Sequence, residues 1–358
     1  MTKIDIYIIK KFLGTFVYAI SLLAVVIIIF DISEKTDEFV ENNAPLTEIV
    51  FSYYMNFLPY FINLFSALFT FITVIFFTSK LAYNTEIIAI LSSGISFRRM
   101  LRPYLISSAL IGLISFVLSN FVIPHTNEQM MDFKWKYLKG ERRVENRDIH
   151  MKIAPNLHVY VETYNASRDL GRKFALEKFE EGRLVSKLTS DYAKWDKEKK
   201  HWEIHNYFIR DIDSVQETIR HGPKIDTIIP LKPKDFVVSA EDLKTMDWNE
   251  LRDFIAKEEM KGASNVMEYK VEKNKRIAFP FANIILTLIG VAISSRKVRG
   301  GIGMHLGIGI TLTFTYILFM QITSVFSTYG GLDPMIAVWI PNIVFASISL
   351  YLIKVAPK

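Results

Sequence analysis

The sequence predicts an α-helical membrane protein: six transmembrane helices in two halves of three, with an all-β domain inserted between the halves. Three observations carry that prediction. Six long runs free of charged residues punctuate the chain, each close to or above the ~20 residues that cross a ~30 Å hydrocarbon core. The connectors between them alternate between basic and acidic, as the positive-inside rule requires of a multi-pass chain. The middle third is instead polar and made of short alternating stretches separated by turn residues. Half of the 358 residues are hydrophobic and mean hydropathy is +0.21, yet 22% are charged, so a substantial water-facing part accompanies the spans. Much of the net charge of +6 lies beside apolar runs; membrane orientation accounts for it, and no nucleic-acid partner is implied. The absence of cysteine excludes disulfides, a thiol nucleophile and zinc-thiolate sites.

Phe12 to Phe30 is uncharged for 19 residues, with Lys3, Lys10 and Lys11 before it. Asp31 to Glu48 then holds six acids against Lys35 alone. The amino terminus is therefore expected inside and this connector outside. No small-residue cleavage site follows the first run, which is read as a retained span. Ile49 to Ser79 is uncharged for 31 residues, more than a straight crossing needs at ~1.5 Å per residue, and Pro59 is the expected kink. Pro103 to Pro124 is the third span, with Ser107, Ser108, Ser115, Ser119 and Asn120 available to bond neighbouring helices.

Between the second and third spans lies KLAYNTEIIAILSSGISFRRMLR, Lys80 to Arg102. Ile87, Ile88, Ile90, Leu91 and Ile95 recur at roughly helical spacing, Thr85 can cap the start and Gly94 can end it. The stretch reads as a short amphipathic helix at about 84–95. Lys80, Arg98, Arg99 and Arg102 against the single Glu86 mark it as cytoplasmic. Pattern alone leaves two uses open: docking another protein, or resting on lipid head groups.

From His125 to about Ala240 the expected strands are Leu157–Tyr164, Lys173–Phe179, Leu184–Leu188, Asp191–Trp195, Trp202–Arg210 and Lys224–Ile229. They suit an antiparallel sandwich, a jelly roll or a curved open sheet, placed outside because an odd number of spans precedes it. Asp247-Trp248-Asn249-Glu250 matches a capping box for a helix to Lys261, stopped by Gly262. A second helix from about Ser264 runs into the fourth span, Ile277 to Ser295. Arg296, Lys297 and Arg299 form a basic inner turn before the fifth span, Gly300 to Tyr329. The sixth, Met335 to Ile353, ends in Lys354 and Lys358. The expected boundaries are 1–124 for spans one to three, 125–245 for the β domain, 246–276 for a helical connector and 277–358 for spans four to six, with both termini cytoplasmic.

The chemistry is sparse. No G-x-x-x-x-G-K-[ST] loop occurs, so nucleotide hydrolysis is assigned to a partner and not to this chain. His201-x-x-x-His205 lies in a strand-like run without a third ligand and reads as exposed strand histidines; no metal and no cofactor are expected. The spans hold essentially no ionisable residues, unlike ion-coupled transporters, and His305 is placed near the inner interface.

Glu86 followed by AILSSGIS (Ala89 to Ser96), then Arg98, Arg99 and Pro103, resembles the coupling-helix segment of the LptF/LptG family of lipopolysaccharide-export permeases. The three-plus-three arrangement, the strand-turn-strand around Tyr192-Ala193-Lys194-Trp195 and Trp202, and the run Lys275 to Pro280 extend the resemblance over essentially the whole chain. It implies an ABC-transporter permease of the bacterial inner membrane, paired with a second LptF/LptG-type subunit and driven by a cytoplasmic LptB-like ATPase. It would extract lipopolysaccharide and pass it through a periplasmic jelly roll to LptC/LptA-like bridge proteins. Under the resemblance Glu86 is the acidic contact with the ATPase, Gly94 shapes the helix end, and Ile87, Ile90, Leu91 and Arg98 complete the docking surface. Some members meet lipid phosphates with a lysine near the outer end of the first span; here Ile28-Ile29-Phe30-Asp31 stands there, so that contact is either missing or taken over by Lys35. Two other readings fit the residues: a permease for another lipid or lipoprotein, and a non-transporting receptor or assembly scaffold.

Overall fold

The computed structural model describes residues 2–138, 145–166, 168–213, 216–236, 240–263, 265–296 and 301–356. Among the described residues six helices are long and apolar enough to cross a membrane: α1 (Lys3–Glu41), α2 (Leu46–Tyr83), α4 (Phe97–Tyr137), α6 (Val266–Ser294), α7 (Gly301–Gly330) and α8 (Pro334–Val355). The short α3 (Glu86–Ser92) joins α2 to α4, and α5 (Trp248–Lys261) precedes α6. The chain divides into two compact units, Met1–Phe133 with Lys270–Lys358, and Lys134–Tyr269.

Several of the helices outrun their uncharged stretches. Helix α1 continues through the acidic stretch to Glu41, because nothing breaks it before Asn42, Asn43 and Pro45. Pro59 and Pro124 each lie a few residues beyond a π-helical turn, Ile49–Tyr54 and Leu118–Val122. These turns absorb the register that proline disturbs, and side chains take up the carbonyls they loosen. Asn56 Nδ2 donates to the carbonyls of Phe51 (3.2 Å) and Ser52 (2.9 Å), and Asn120 Nδ2 to that of Phe116 (2.8 Å).

Helix α2 is the shared wall of the spanning unit. Val74, Phe77 and Leu81 pack with Ile8 and Phe12 of α1 and with Tyr104 and Ile111 of α4. Ala67, Phe71 and Ile75 pack with Ala278 and Leu286 of α6, Tyr316 of α7 and Phe345 of α8. Between apolar helices in lipid, close approach and polar pairs do the work that the hydrophobic effect does in water. Ser115 and Ser119 of α4 bond Asn63 of α2 at 2.6 and 2.8 Å. Thr70 bonds Asn283 at 3.0 Å, and Asn342 takes the Ala278 carbonyl (2.9 Å) while accepting from Tyr316 (2.9 Å). A Cβ at Gly309 of α7 would lie 2.2 Å from Ile75 Cδ1, so a side chain fits there only once that terminal methyl turns aside.

In the second unit β1 (Glu145–Ala154), β2 (Leu157–Asn165), β3 (Leu170–Glu180), β4 (Arg183–Asp196), β5 (His201–Ile212) and β6 (Glu217–Thr227) form one antiparallel sheet in sequential order. Of the three arrangements left open by the sequence, this is the open sheet. Leu184–Leu188 and Asp191–Trp195, expected as two strands, are one, since Thr189 and Ser190 keep their pairing with Ala175 and Phe174 of β3 and interrupt nothing. One face carries Val159, Val161, Phe174, Leu188, Trp202 and Ile204; Ile229, Leu231 and Phe236, from the segment after β6, pack on it. Trp202 Nε1 donates to the Leu231 carbonyl at 2.9 Å, which satisfies the one polar atom of a fully buried indole. Asp247 caps α5 as its sequence implied, accepting from the amides of Asn249 and Glu250, both at 2.8 Å, and Gly262 ends it at φ +68°.

Gly309→Val should crowd the buried Ile75 and Phe71 of α2 at an overpacking cost on the order of 1–3 kcal/mol. The melting midpoint of the purified protein in detergent is expected to fall, and Ile75→Ala in the same chain should restore part of it.

Candidate coupling site

Helix α3 is seven residues long, shorter than the expected 84–95, and its entry differs from the expected cap. Thr85 sits at φ +63°, and its hydroxyl donates to the Asn84 carbonyl at 2.6 Å instead of receiving an amide of α3. The turn from α2 is too tight for a side-chain cap. At the other end the expectation holds: Gly94 adopts φ +86° with its amide on the Leu91 carbonyl at 3.1 Å, a conformation that glycine reaches without strain. Ser96 then caps α4, accepting from the Arg99 amide at 3.3 Å.

The two sides of α3 have different fates. Ile87 is only 2% exposed and packs with Phe97, Met100 and Leu81, with Ile90 and Leu91 half-buried beside it. Ile88, at 55% exposed, faces away, and Ala89, Ser92, Ser93 and Gly94 are also exposed. Glu86 is half-buried at the rim; its carboxylate accepts from Tyr7 Oη at 3.3 Å and Asn84 Nδ2 at 3.4 Å.

The arginines, alike in sequence, part company here. Arg99 reaches back to α1 and grips Asp5 with two nitrogens at 2.8 and 2.7 Å, a bidentate pair in which Asp5 is only 5% exposed. Asp5 also closes a capping box with Thr2, whose amide it accepts at 2.8 Å. Arg98, one residue away, is exposed. Sequence reasoning passed over Asp5; the Thr2-Lys3-Ile4-Asp5 pattern of a capping box was the available signal. Beside Glu86 opens a cleft of about 210 Å³ lined by Tyr7, Lys11 and Thr15 of α1, Phe76, Phe77, Lys80 and Leu81 of α2, and Asn84.

Lys35 lies near the opposite end of α1. It pairs with Asp31 one turn earlier, sits 2.5 Å from Tyr53 Oη and 5.1 Å from the centre of that ring. Tyr54 Oη donates to the same aspartate at 3.1 Å. The ammonium is thus neutralised within the protein. His305 is buried on α7 with Nδ1 2.8 Å from Ser79 Oγ of α2. Lys297, Arg299 and Lys358 lie outside the described residues, while Arg296 bonds the Val355 carbonyl at the end of α8.

On the sheet, His201 and His205 share a face of β5 with Glu203, and His201 is tucked in more deeply than an exposed strand residue. Asp196, His201 and Glu203 bring donor atoms within 4.8 Å of one another. Two of the three are already engaged. Lys224 Nζ lies 2.7 Å from Glu203, holding that carboxyl below the usual range, and Asp196 accepts the amides of Glu198 and Lys199 in the β4–β5 turn. The arrangement therefore reads as a salt-bridged sheet face.

Six spans in two sets of three with a sheet inserted between them, and a short amphipathic helix between the second and third, are the architecture of a multi-pass membrane permease. The family model described as lipopolysaccharide export system permease LptF/LptG matches residues 6–355, and the chain belongs to that family. It is therefore a multi-pass permease of the lipopolysaccharide-export ABC transporter, working in a complex with an ATPase. Relatives include the lipopolysaccharide export system permease protein LptG of Escherichia coli strain K12 and its counterpart in Escherichia coli O6:H1. Each is 20% identical over 275 residues, 76% of either chain.

The two members of the Asp5–Arg99 pair act as one unit, so their losses should not add. Asp5→Asn and Arg99→Gln are each expected to lower the melting midpoint, and the double variant to fall no further than the worse single one.

Proposed function

We propose that α3 is the surface through which an LptB-like ATPase drives this permease, with α3 and both termini in the cytoplasm and the sheet in the periplasm. The observation that supports the reading most directly is the division of α3 into an inner side fixed to the spans and an outer side left free. A motor must push on a part that cannot yield independently. Ile87, packed under α3, with Ile90 and Leu91 beside it, makes α3 rigid with α2 and α4; Glu86, Ile88, Gly94 and Arg98 form the surface offered to the partner. This revises the sequence-based contact set: Ile87 anchors, and Ile88 takes its place on the docking face.

Moving an amphiphile out of a bilayer costs about 0.8 kcal/mol per CH₂ removed from the hydrocarbon, which a chain without a nucleotide site must draw from its partner. A second LptF/LptG-type subunit would close the cavity for the lipid, and LptC/LptA-like proteins would receive it from the sheet. The domain boundaries at 124, 245 and 276 follow this division of labour: two spanning halves, a delivery sheet and a helical connector between sheet and α6. At the outer end of α1, a lipid phosphate reaching Lys35 has to displace Asp31, so any head-group contact there is an exchange of one anion for another.

Glu86→Lys and Ile88→Asp should each cut ATPase co-purification about tenfold or more, equivalent to ~1.4 kcal/mol per factor of ten. Ile87→Ala should instead lower thermal stability, and unchanged complex formation in the first two variants would remove α3 from the interface. Sidedness has its own check. Single cysteines replacing Arg98 and Lys199 should react with a membrane-impermeant thiol reagent from opposite sides of sealed vesicles; labelling from one side rejects the topology.

A further inference from the structure

The cleft beside Glu86 is built for an anion that the lipopolysaccharide path does not supply. Lys11 of α1 and Lys80 of α2 both line it, and among the described residues neither forms an ion pair. Tyr7 and Thr15 stand one helical turn to either side of Lys11, and Asn84 one turn beyond Lys80, adding hydroxyl and amide groups around the two cations. Phe76, Phe77 and Leu81 make its apolar part, and Phe76 is itself 43% exposed on the outside of α2. Two cations with polar neighbours at one end of a pair of spans, above aromatic and aliphatic side chains, match an acidic phospholipid, with its phosphate at the lysines and its chains along α1 and α2. At about 210 Å³ the cleft has room for a phosphate and its ester oxygens.

The cleft shares a wall with the coupling site. Tyr7 and Asn84 line it and also hold Glu86, at 3.3 and 3.4 Å, longer than well-formed hydrogen bonds to a carboxylate. Glu86 is thus weakly held next to two lysines. A phosphodiester on the lysines puts a negative charge on the cleft side of Glu86, and like-charge repulsion then turns the carboxylate toward the outer side of α3.

We propose that Lys11 and Lys80 bind the phosphate of an acidic phospholipid in the leaflet beside α3, and that its occupancy turns Glu86 toward the ATPase. The second half rests on the coupling role given to α3 above; the first does not. Phosphatidylglycerol is the probe. The full-length permease is reconstituted in phosphatidylethanolamine nanodiscs with and without phosphatidylglycerol, and tightly retained lipid is measured by mass spectrometry after exchange into detergent. Wild type should retain phosphatidylglycerol, Lys11→Gln/Lys80→Gln should lose about tenfold or more of it, and Lys10→Gln, one residue off the cleft, should match wild type. Equal retention by wild type and the double variant, or none by wild type, overturns the lipid site. Displacement of the lipid by millimolar inorganic phosphate assigns the cleft to free phosphate and overturns it too. For the linkage, ATPase docking should strengthen with phosphatidylglycerol in wild type and be indifferent to it in Lys11→Gln/Lys80→Gln. Docking equally insensitive in both, with lipid retention intact, overturns the linkage alone. A Glu86→Lys variant that docks normally overturns the coupling reading and leaves the lipid site standing.

Discussion

Arg99 holding Asp5 with two nitrogens is the constraint from which the α3 end of the spanning unit takes its shape. Both charges would be costly near a bilayer surface if left alone, and each is satisfied only when the start of α1 lies against the start of α4. That contact brings Tyr7 within reach of Glu86, lets Ile8 and Phe12 pack on Tyr104 and Phe77, and forms one wall of the lysine-lined cleft. Helix α3 inherits its position from this arrangement. Seven residues cannot hold a fixed attitude unaided, and Ile87 seated among Leu81, Phe97 and Met100 supplies what helix length does not.

The two units answer to different physics. In the spanning unit, helices meet through glycine and through asparagine and serine pairs such as Asn63 with Ser115, because lipid surrounds apolar side chains as well as protein does. In the sheet, water supplies the driving force, and a period of two sorts Val159, Val161, Trp202 and Ile204 onto the covered face. The same chain therefore carries a wide apolar surface that only a membrane tolerates, including Phe30, Phe51 and Tyr329 at more than 60% exposed, beside a sheet whose outer face is salt-bridged.

Much of this was readable in the residues because the signals were local. Runs without charge marked the spans, Asp247 with Glu250 marked α5, and Gly94 marked the end of α3. Other features depend on partners far away in sequence. Arg98 and Arg99 look alike in a string of letters; Asp5, ninety-four residues earlier, decides that one is used internally and the other is exposed. Ile87 and Ile88 are equally apolar, and only the packing of α2 and α4 tells inward from outward. Thr85 failed as a cap because the turn from α2 is tighter than the pattern implies. Strand β1 escaped notice since Glu145 to Lys152 mixes charge and bulk without clear alternation; pairing with β2 defines it.

Helix α1 is the least enclosed of the spans, with 11% of its most apolar stretch buried against 56% for α2, yet it is fastened at two points. Asp5 is held by Arg99, and Asp31 with Lys35 is held by Tyr53 and Tyr54. Twenty-six residues separate Asp5 from Asp31, about 39 Å along a helix, so the fastenings stand a full bilayer apart. A rod clamped at both ends cannot swing like a door; it can bow or roll. Any opening beside this helix therefore requires it to flex at mid-membrane, or one clamp to let go first.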